Sequence, residues 1–172
     1  MIITTSRKPS QRTRSFVKDL ASVLGIKILN RGKTPLKDIL ETYDNFIVVE
    51  EFKGNPGKLK FYNTKKNEVL SLIIATKLQK EVCGENVGMI KKLGAEFDKS
   101  TSEYKNVFYD FLFKNLDSFD ELNEDDNESS FKVGFKKSSK DDNIFYIQFY
   151  KGDKELGPLI KVKSVKIIDI ES

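Results

Sequence analysis

Ile2-Ile3-Thr4-Thr5-Ser6-Arg7-Lys8-Pro9-Ser10-Gln11-Arg12-Thr13-Arg14-Ser15-Phe16-Val17-Lys18-Asp19-Leu20 opens the chain as a strand, a polar turn and a helix in immediate succession. Met1–Thr5 is a short β-branched run that suits a strand. Ser6 to Ser10 is polar and punctuated by Pro9. From about Gln11 to Leu24, the apolar residues Phe16, Leu20, Val23 and Leu24 fall at i, i+4, i+7 and i+8, which is one stripe on a helix. Ser10 stands where an N-cap belongs and Gly25 where a left-handed stop belongs. A strand that feeds at once into an amphipathic helix predicts an α/β fold.

The same alternation continues outward from this stretch. Ile26–Leu29 reads as a short strand and Asn30–Lys33 as a turn. Thr34-Pro35 opens a second helix, with a capping hydroxyl, Pro at the first turn and a stripe of Leu36, Ile39, Leu40 and Tyr43. Phe46–Phe52 is a buried strand, Gly54-Asn55-Pro56-Gly57 a turn, and Leu59–Tyr62 with Val69–Ala75 a strand pair. Val87–Leu93 is expected to be a short helix. Ser100-Thr101-Ser102-Glu103 matches a capping box, leading into a helix marked by Tyr104, Val107, Phe108, Phe111, Leu112 and Leu116. Phe131, Val133 and Phe135 alternate, as do Phe145, Ile147 and Phe149, which predicts two antiparallel strands. Leu159–Ile170 alternates with a parity shift near Ser164, the mark of a bulge. The expected fold class is therefore α/β, with mixed sheets packed by helices. Both halves run from a helix to a strand-rich tail, and with 172 residues the chain suits one domain with approximate halves 1–78 and 79–172.

Composition excludes several classes of chemistry. There is no His, so neither a Ser-His nor a Cys-His nucleophile pair can form. The single Cys, Cys83, excludes an internal disulfide and a thiolate zinc cluster. It reads as a small packed side chain in a reducing compartment. Neither GxxxxGK[ST] nor GxGxxG occurs. The apolar runs Phe46–Val49 and Leu72–Ala75 are far short of the roughly 20 residues that span a bilayer, and no basic region leads into an apolar one at the N-terminus. The expectation is a cytoplasmic binding protein with no enzymatic activity, no cofactor, no bound metal and no membrane or DNA partner.

Charge gives the positive signal. The net charge is +4. Residues 1–33 hold eight cations (Arg7, Lys8, Arg12, Arg14, Lys18, Lys27, Arg31, Lys33) against the single acid Asp19, a net +7, and the remainder is −3. All four Arg lie in this segment, and Arg is the better residue for forked contact with phosphate. Residues 117–128 are the opposite extreme, with seven acids and no cation, and read as a solvated loop.

Arg7, Lys8, Arg12 and Arg14 surround the start of the first helix, the end that already carries positive partial charge. First turns favour acids, so this cluster is inconsistent with a helix start unless an anion sits there. A phosphate held by Arg7, Lys8, Ser10, Arg12 and Arg14, with Lys18, Arg31 and Lys33 extending the patch, would resolve the inconsistency. A solvated basic turn is the plain alternative. A second candidate surface interleaves Lys132, Lys136, Lys137 and Lys151 with aromatic residues. There Tyr146 and Tyr150 lie opposite the apolar face and are the better candidates to stack bases, although Lys on such a face is ordinarily only the wet side of a sheet.

The opening stretch, Ile2 to Leu20, also resembles the opening signature of Brix domain proteins. Glu155-Leu156-Gly157-Pro158-Leu159-Ile160-Lys161-Val162 resembles the family's closing motif, with Leu159 where the family often has Arg. The two motifs bracket nearly the whole chain, and its size is similar to that of the stand-alone archaeal members. The resemblance implies two similar α/β halves, each like the anticodon-binding domain of class IIa aminoacyl-tRNA synthetases. It also implies a role in ribosome biogenesis through binding of ribosomal RNA precursors, assisting rRNA processing and ribosome assembly, with pre-ribosomal proteins as further partners. The alternative is a protein-interaction module of an assembly particle without RNA affinity of its own.

Overall fold

The computed structural model describes residues 1–121, 130–138 and 140–170. Of the acidic stretch, residues 122–128 lie outside the described residues. The chain runs β1 (Ile2–Thr5), α1 (Gln11–Leu24), β2 (Lys27–Ile28), α2 (Leu36–Thr42), β3 (Asn45–Phe52), β4 (Asn55–Asn63), β5 (Glu68–Lys77), α3 (Gln79–Val82), β6 (Gly94–Phe97), α4 (Lys105–Phe111), β7 (Phe131–Lys136), β8 (Phe145–Lys151), β9 (Lys154–Glu155) and β10 (Leu159–Asp169).

Among the described residues these strands form one mixed ten-stranded sheet rather than two. Its order is β2-β1-β3-β4-β5-β10-β8-β7-β6, with β9 paired to β8. β1 is parallel to β2 and β3, and β6 is parallel to β7; the other pairings are antiparallel. Parallel neighbours need a crossover connection, which α1 and α2 supply for β1 and β3, and α4 for β6 and β7. Leaving β2 aside, the order reads alike from both ends. In each direction comes a parallel pair bridged by a helix, then an antiparallel meander. The two meanders meet where β5 pairs with β10 along Leu159↔Lys77 to Asp169↔Glu68. The register shifts between Val162 and Ser164, the bulge expected from the parity change.

The stripe of α1 meets the sheet as its spacing requires. Phe16 and Val23 are 0% exposed and Leu20 and Leu24 2%. They join Ile47, Leu59, Phe61 and Leu70 from one meander, Val133, Phe135, Phe145 and Phe149 from the other, and Phe108 from α4 in one core. Burying a side chain the size of Phe16 stabilises the fold by about 1.5–3 kcal/mol. The stripe of α2 covers a smaller cluster on another part of the sheet: Ile39, Phe46, Val48, Tyr62 and Val69, with Leu36, Leu40 and Tyr43 packed against it.

Four local expectations are corrected. Val87–Leu93 is not helical. The Ile90 N–H donates to the Ser22 carbonyl at 2.9 Å and the Leu93 N–H to the Ser118 carbonyl at 2.8 Å, so tertiary partners take the donors a helix would use. The hairpin turn is tighter than Gly54–Gly57. Lys53 and Gly54 carry it with positive φ (51° and 78°), the conformation a two-residue hairpin demands, and Asn55 already belongs to β4. The cap ahead of α4 is Asp98, whose carboxylate accepts from the Thr101 N–H at 2.9 Å, and not Ser100; a 3₁₀ helix at Lys99–Tyr104 precedes α4. Finally, α2 has Pro35 at its N-cap and no side-chain cap, so Thr34 does not serve there. Ser10 and Gly25 cap α1 as expected, with Gly25 at φ 66°.

Candidate nucleic-acid interface

Thr5, Pro9, Arg14, Val17, Lys18, Ile28, Leu29, Asn30, Arg31 and Gly32 line a cleft of about 590 Å³ between the end of β1, the outer face of α1 and the loop after β2. Its floor is apolar (Val17, Ile28, Leu29) and its rim carries three of the expected cations, Arg14, Lys18 and Arg31. Arg14 and Lys18 lie one helical turn apart on the exposed side of α1 and are in no ion pair among the described residues. Arg31 is half-buried. Its Nε donates to the Thr34 carbonyl at 2.6 Å and its Nη1 to the Thr5 carbonyl at 3.0 Å, which fixes the loop after β2 against the end of β1. Arg7 and Lys33 meet beside this cleft, where Arg7 Nη2 donates to the Lys33 carbonyl at 3.5 Å. Lys8 is exposed and in the left-handed region, φ 53°.

The remaining two expected residues are engaged otherwise. The Ser10 hydroxyl accepts from the Thr13 N–H at 3.2 Å and donates to the Gly54 carbonyl at 2.8 Å. The Ser10 backbone N–H donates to the Glu51 carboxylate. The acid that the helix start lacks in sequence is thus delivered by Glu51, at the end of β3. The Ser10 and Thr13 side chains, with the Ser10 N–H and the Arg14 charge, hold the Glu51 carboxyl below its ordinary value of 4.5. Arg12 turns the other way. Its guanidinium pairs with Glu81 at 2.8 Å and donates to the Thr76 carbonyl at 3.3 Å, and that contact keeps the Glu81 carboxyl low.

The structure therefore brings Arg14, Lys18 and Arg31 to one cleft, joins Arg7 to Lys33 beside it, leaves Lys8 exposed on the turn, and holds Ser10 and Arg12 in structural bonds. Glu51 lies 41 positions from Ser10, and no spacing rule connects the two. Asn30 and the apolar floor residues carried no signal in the sequence either, because β2 is too short to announce its register.

On the second surface the tyrosine side chains are already partnered. The Tyr146 hydroxyl donates to Asp141 at 2.5 Å and lies 2.7 Å from the Ser138 hydroxyl. The Lys136 ammonium sits over the Tyr150 ring, 4.7 Å from its centre. Lys132 pairs with Glu96 at 3.3 Å and Lys60 with Glu50 at 2.7 Å. Tyr146, Tyr150, Lys132 and Lys136 are thus engaged with neighbours on that face, whereas Arg14 and Lys18 beside α1 are in no ion pair among the described residues.

Across its whole length the chain aligns with a probable Brix domain-containing ribosomal biogenesis protein of Methanococcus maripaludis, 50% identical over 99% of this chain and 100% of that one. The chain belongs to the Brix domain family. Another member, from Methanosarcina barkeri, is 33% identical over 71% of this chain and 78% of its own length. No family model matches the chain. Among solved structures, the Brix fold seen here is similar to that of Mil, an archaeal Imp4-like protein (TM-score 0.65, 21% identity, 98% of this chain and 100% of that one). It is equally similar to that of a probable ribosomal biogenesis protein from Aeropyrum pernix (TM-score 0.66, 22% identity, 94% and 93%). In this Brix chain the opening motif forms β1, the basic turn and α1, and the closing motif forms the entry into β10.

Proposed function

We propose that this protein is a ribosome biogenesis factor that binds ribosomal RNA precursors and assists their processing and assembly, working by binding and not by catalysis, in the cytoplasm. The observation that carries the proposal is the cleft beside α1. Arg14 and Lys18 are exposed there and in no ion pair among the described residues, Arg31 is fixed at the rim, and Arg7 reaches the Lys33 carbonyl beside it. Exposed, unpaired cations along a groove suit a phosphate backbone, since neutralising phosphates releases counterions. The naming of the relatives as ribosomal biogenesis proteins makes ribosomal RNA the expected source of that backbone.

Fluorescence anisotropy of labelled ribosomal RNA fragments with the purified protein tests this across a salt series. The expected result is binding whose affinity falls with salt, with a log–log slope of about −0.7 to −0.9 per phosphate touched. No binding at low salt would favour a protein-interaction module instead.

A further inference from the structure

The two ends of the sheet are built alike, and each carries a cleft at the same place. At one end β1, α1 and β2 enclose the basic cleft, with β1 and β2 parallel. At the other end β6 and α4 are followed by Phe119, whose segment bridges in parallel to Leu93 just before β6. Between these elements lies a second cleft, also of about 590 Å³, whose lining includes Ala95, Phe97, Ser102, Lys105, Asn106, Tyr109, Phe113, Phe119 and Glu121. The first cleft lies at the carboxyl end of β1, and the second runs beside β6 from Phe97 at its carboxyl end to Phe119, which bridges to Leu93 at its amino end.

The chemistry of the second cleft differs from that of the first. Four aromatic rings line it where the first has cations. Phe113 and Phe119 stack with centres 5.0 Å apart, Phe97 meets Phe113 edge-on at 6.4 Å, and Tyr109 meets Phe119 edge-on at 6.2 Å. Tyr109 is 45% exposed, a large area for an aromatic side chain on a helix that otherwise buries its rings. At the rim, the Asn106 amide, the Lys105 ammonium and the Glu121 carboxylate are exposed and have no hydrogen-bond partner among the described residues. An exposed ring above an apolar floor, with an amide, a donor and an acceptor around it, matches an unpaired nucleobase: a flat face to stack and polar edges to pair. A purely apolar peptide side chain would leave the rim groups unused.

The geometry points to this cleft as a nucleobase pocket, in which Tyr109 stacks on an unpaired base and Asn106, Lys105 and Glu121 meet its edges. The pocket rests on the RNA reading above and extends it from backbone to base.

The test uses nucleosides, which carry no phosphate and so do not depend on the basic cleft. Titration of the isotope-labelled protein with adenosine, guanosine, cytidine and uridine at millimolar concentration is followed by amide chemical shifts. The expected result is saturable shifts confined to Ala95, Phe97, Asn106, Tyr109 and Phe119 for at least one nucleoside, lost in Tyr109→Ala and in Asn106→Ala and retained in Tyr109→Phe. With single-stranded RNA, Tyr109→Ala should weaken binding about tenfold and leave the salt slope unchanged. Absence of shifts with all four nucleosides, or the same shifts in Tyr109→Ala, would overturn the pocket, and so would a cleft that answers only to an apolar peptide. Nucleoside shifts in a protein that fails to bind RNA would leave the pocket standing and remove the backbone reading.

Discussion

The backbone N–H of Gln79 donates to the Asp19 carboxylate at 2.9 Å, in the buried space where α1 meets the segment joining the two meanders. The same Gln79 donates from its side-chain amide to the Gly157 carbonyl at 3.2 Å and accepts from the Val87 N–H at 3.1 Å. Gln79 is 1% exposed and Asp19 7%. One residue therefore ties the opening motif of the chain, through Asp19, to the closing motif, through Gly157. Gln79→Ala leaves the buried Gly157 carbonyl and the part-buried Val87 N–H without these partners, and the expected loss is about 2–4 kcal/mol, measured by urea unfolding.

Asp19 itself gives a pH signature. Burial raises its pKa above the ordinary 3.8, although the Gln79 N–H and Lys80 act against the rise. An acid whose folded pKa is raised contributes stability while protonated and loses it as pH climbs through the folded value. Asp19→Asn keeps an acceptor for the Gln79 N–H and has no charge to bury. Its stability relative to the parent protein should therefore improve as pH rises from about 3.8 towards neutrality. Asp19→Ala removes the acceptor and should cost about 1–3 kcal/mol at acid pH, with the cost shrinking as pH rises and the parent loses the protonated Asp19. Equal pH profiles for the parent and Asp19→Asn would contradict this assignment.

Glu51 has the opposite sign. Its folded pKa lies below the ordinary 4.5, so its contribution is present above that ordinary value and is lost as pH falls through the folded one. Glu51→Gln should destabilise the protein at neutral pH and flatten the acid limb of its stability profile. Because the substitution also removes the anion beside the start of α1, RNA affinity should rise at low salt. An unchanged or weaker affinity would show that the cations around this turn do not face RNA.

Charge reversal separates the expected site residues into two groups. Arg14→Glu with Lys18→Glu should weaken RNA binding about tenfold or more and make the salt slope shallower by about 0.7 for each phosphate left without its cation, with the melting temperature preserved. Arg12→Glu sets an acid against Glu81 and should lower the stability, by the order of 1 kcal/mol expected for a surface pair, and the melting temperature with it. Anisotropy and thermal unfolding on the same samples distinguish the two. RNA affinity that survives the change at Arg14 and Lys18 would remove the cleft as the binding site.

Gly25→Ala should be among the most damaging single changes outside the phenylalanine core. Gly25 sits at φ 66°, and a Cβ there would lie 2.5 Å from the Ile90 carbonyl oxygen and 3.2 Å from Ser118 Cβ. The strain of a left-handed alanine adds to a collision with backbone. A loss of about 3 kcal/mol or more is expected in equilibrium unfolding.

What the sequence determined by itself is local and periodic. The stripe Phe16, Leu20, Val23, Leu24 dictated α1 and the face it buries, Ser10 and Gly25 set its ends, and alternation set β7, β8 and the bulge in β10. These follow from a few neighbouring residues, because helix and strand periods are backbone properties. The cluster of cations at the helix start was equally legible, and so was the demand for an anion beside it. Only the tertiary structure decided which anion answers. Glu51 arrives from β3 and occupies the Ser10 N–H, Arg12 is drawn away to Glu81, and Arg14 and Lys18 stay exposed outside any ion pair among the described residues. Long-range pairing likewise decided that Ile90 and Leu93 donate to Ser22 and Ser118 instead of forming a helix. It also decided that β5 and β10 join the two meanders into one sheet. Partners so far apart in sequence leave no periodic trace, since they are chosen by the free energy of the whole packing and not by any stretch of chain.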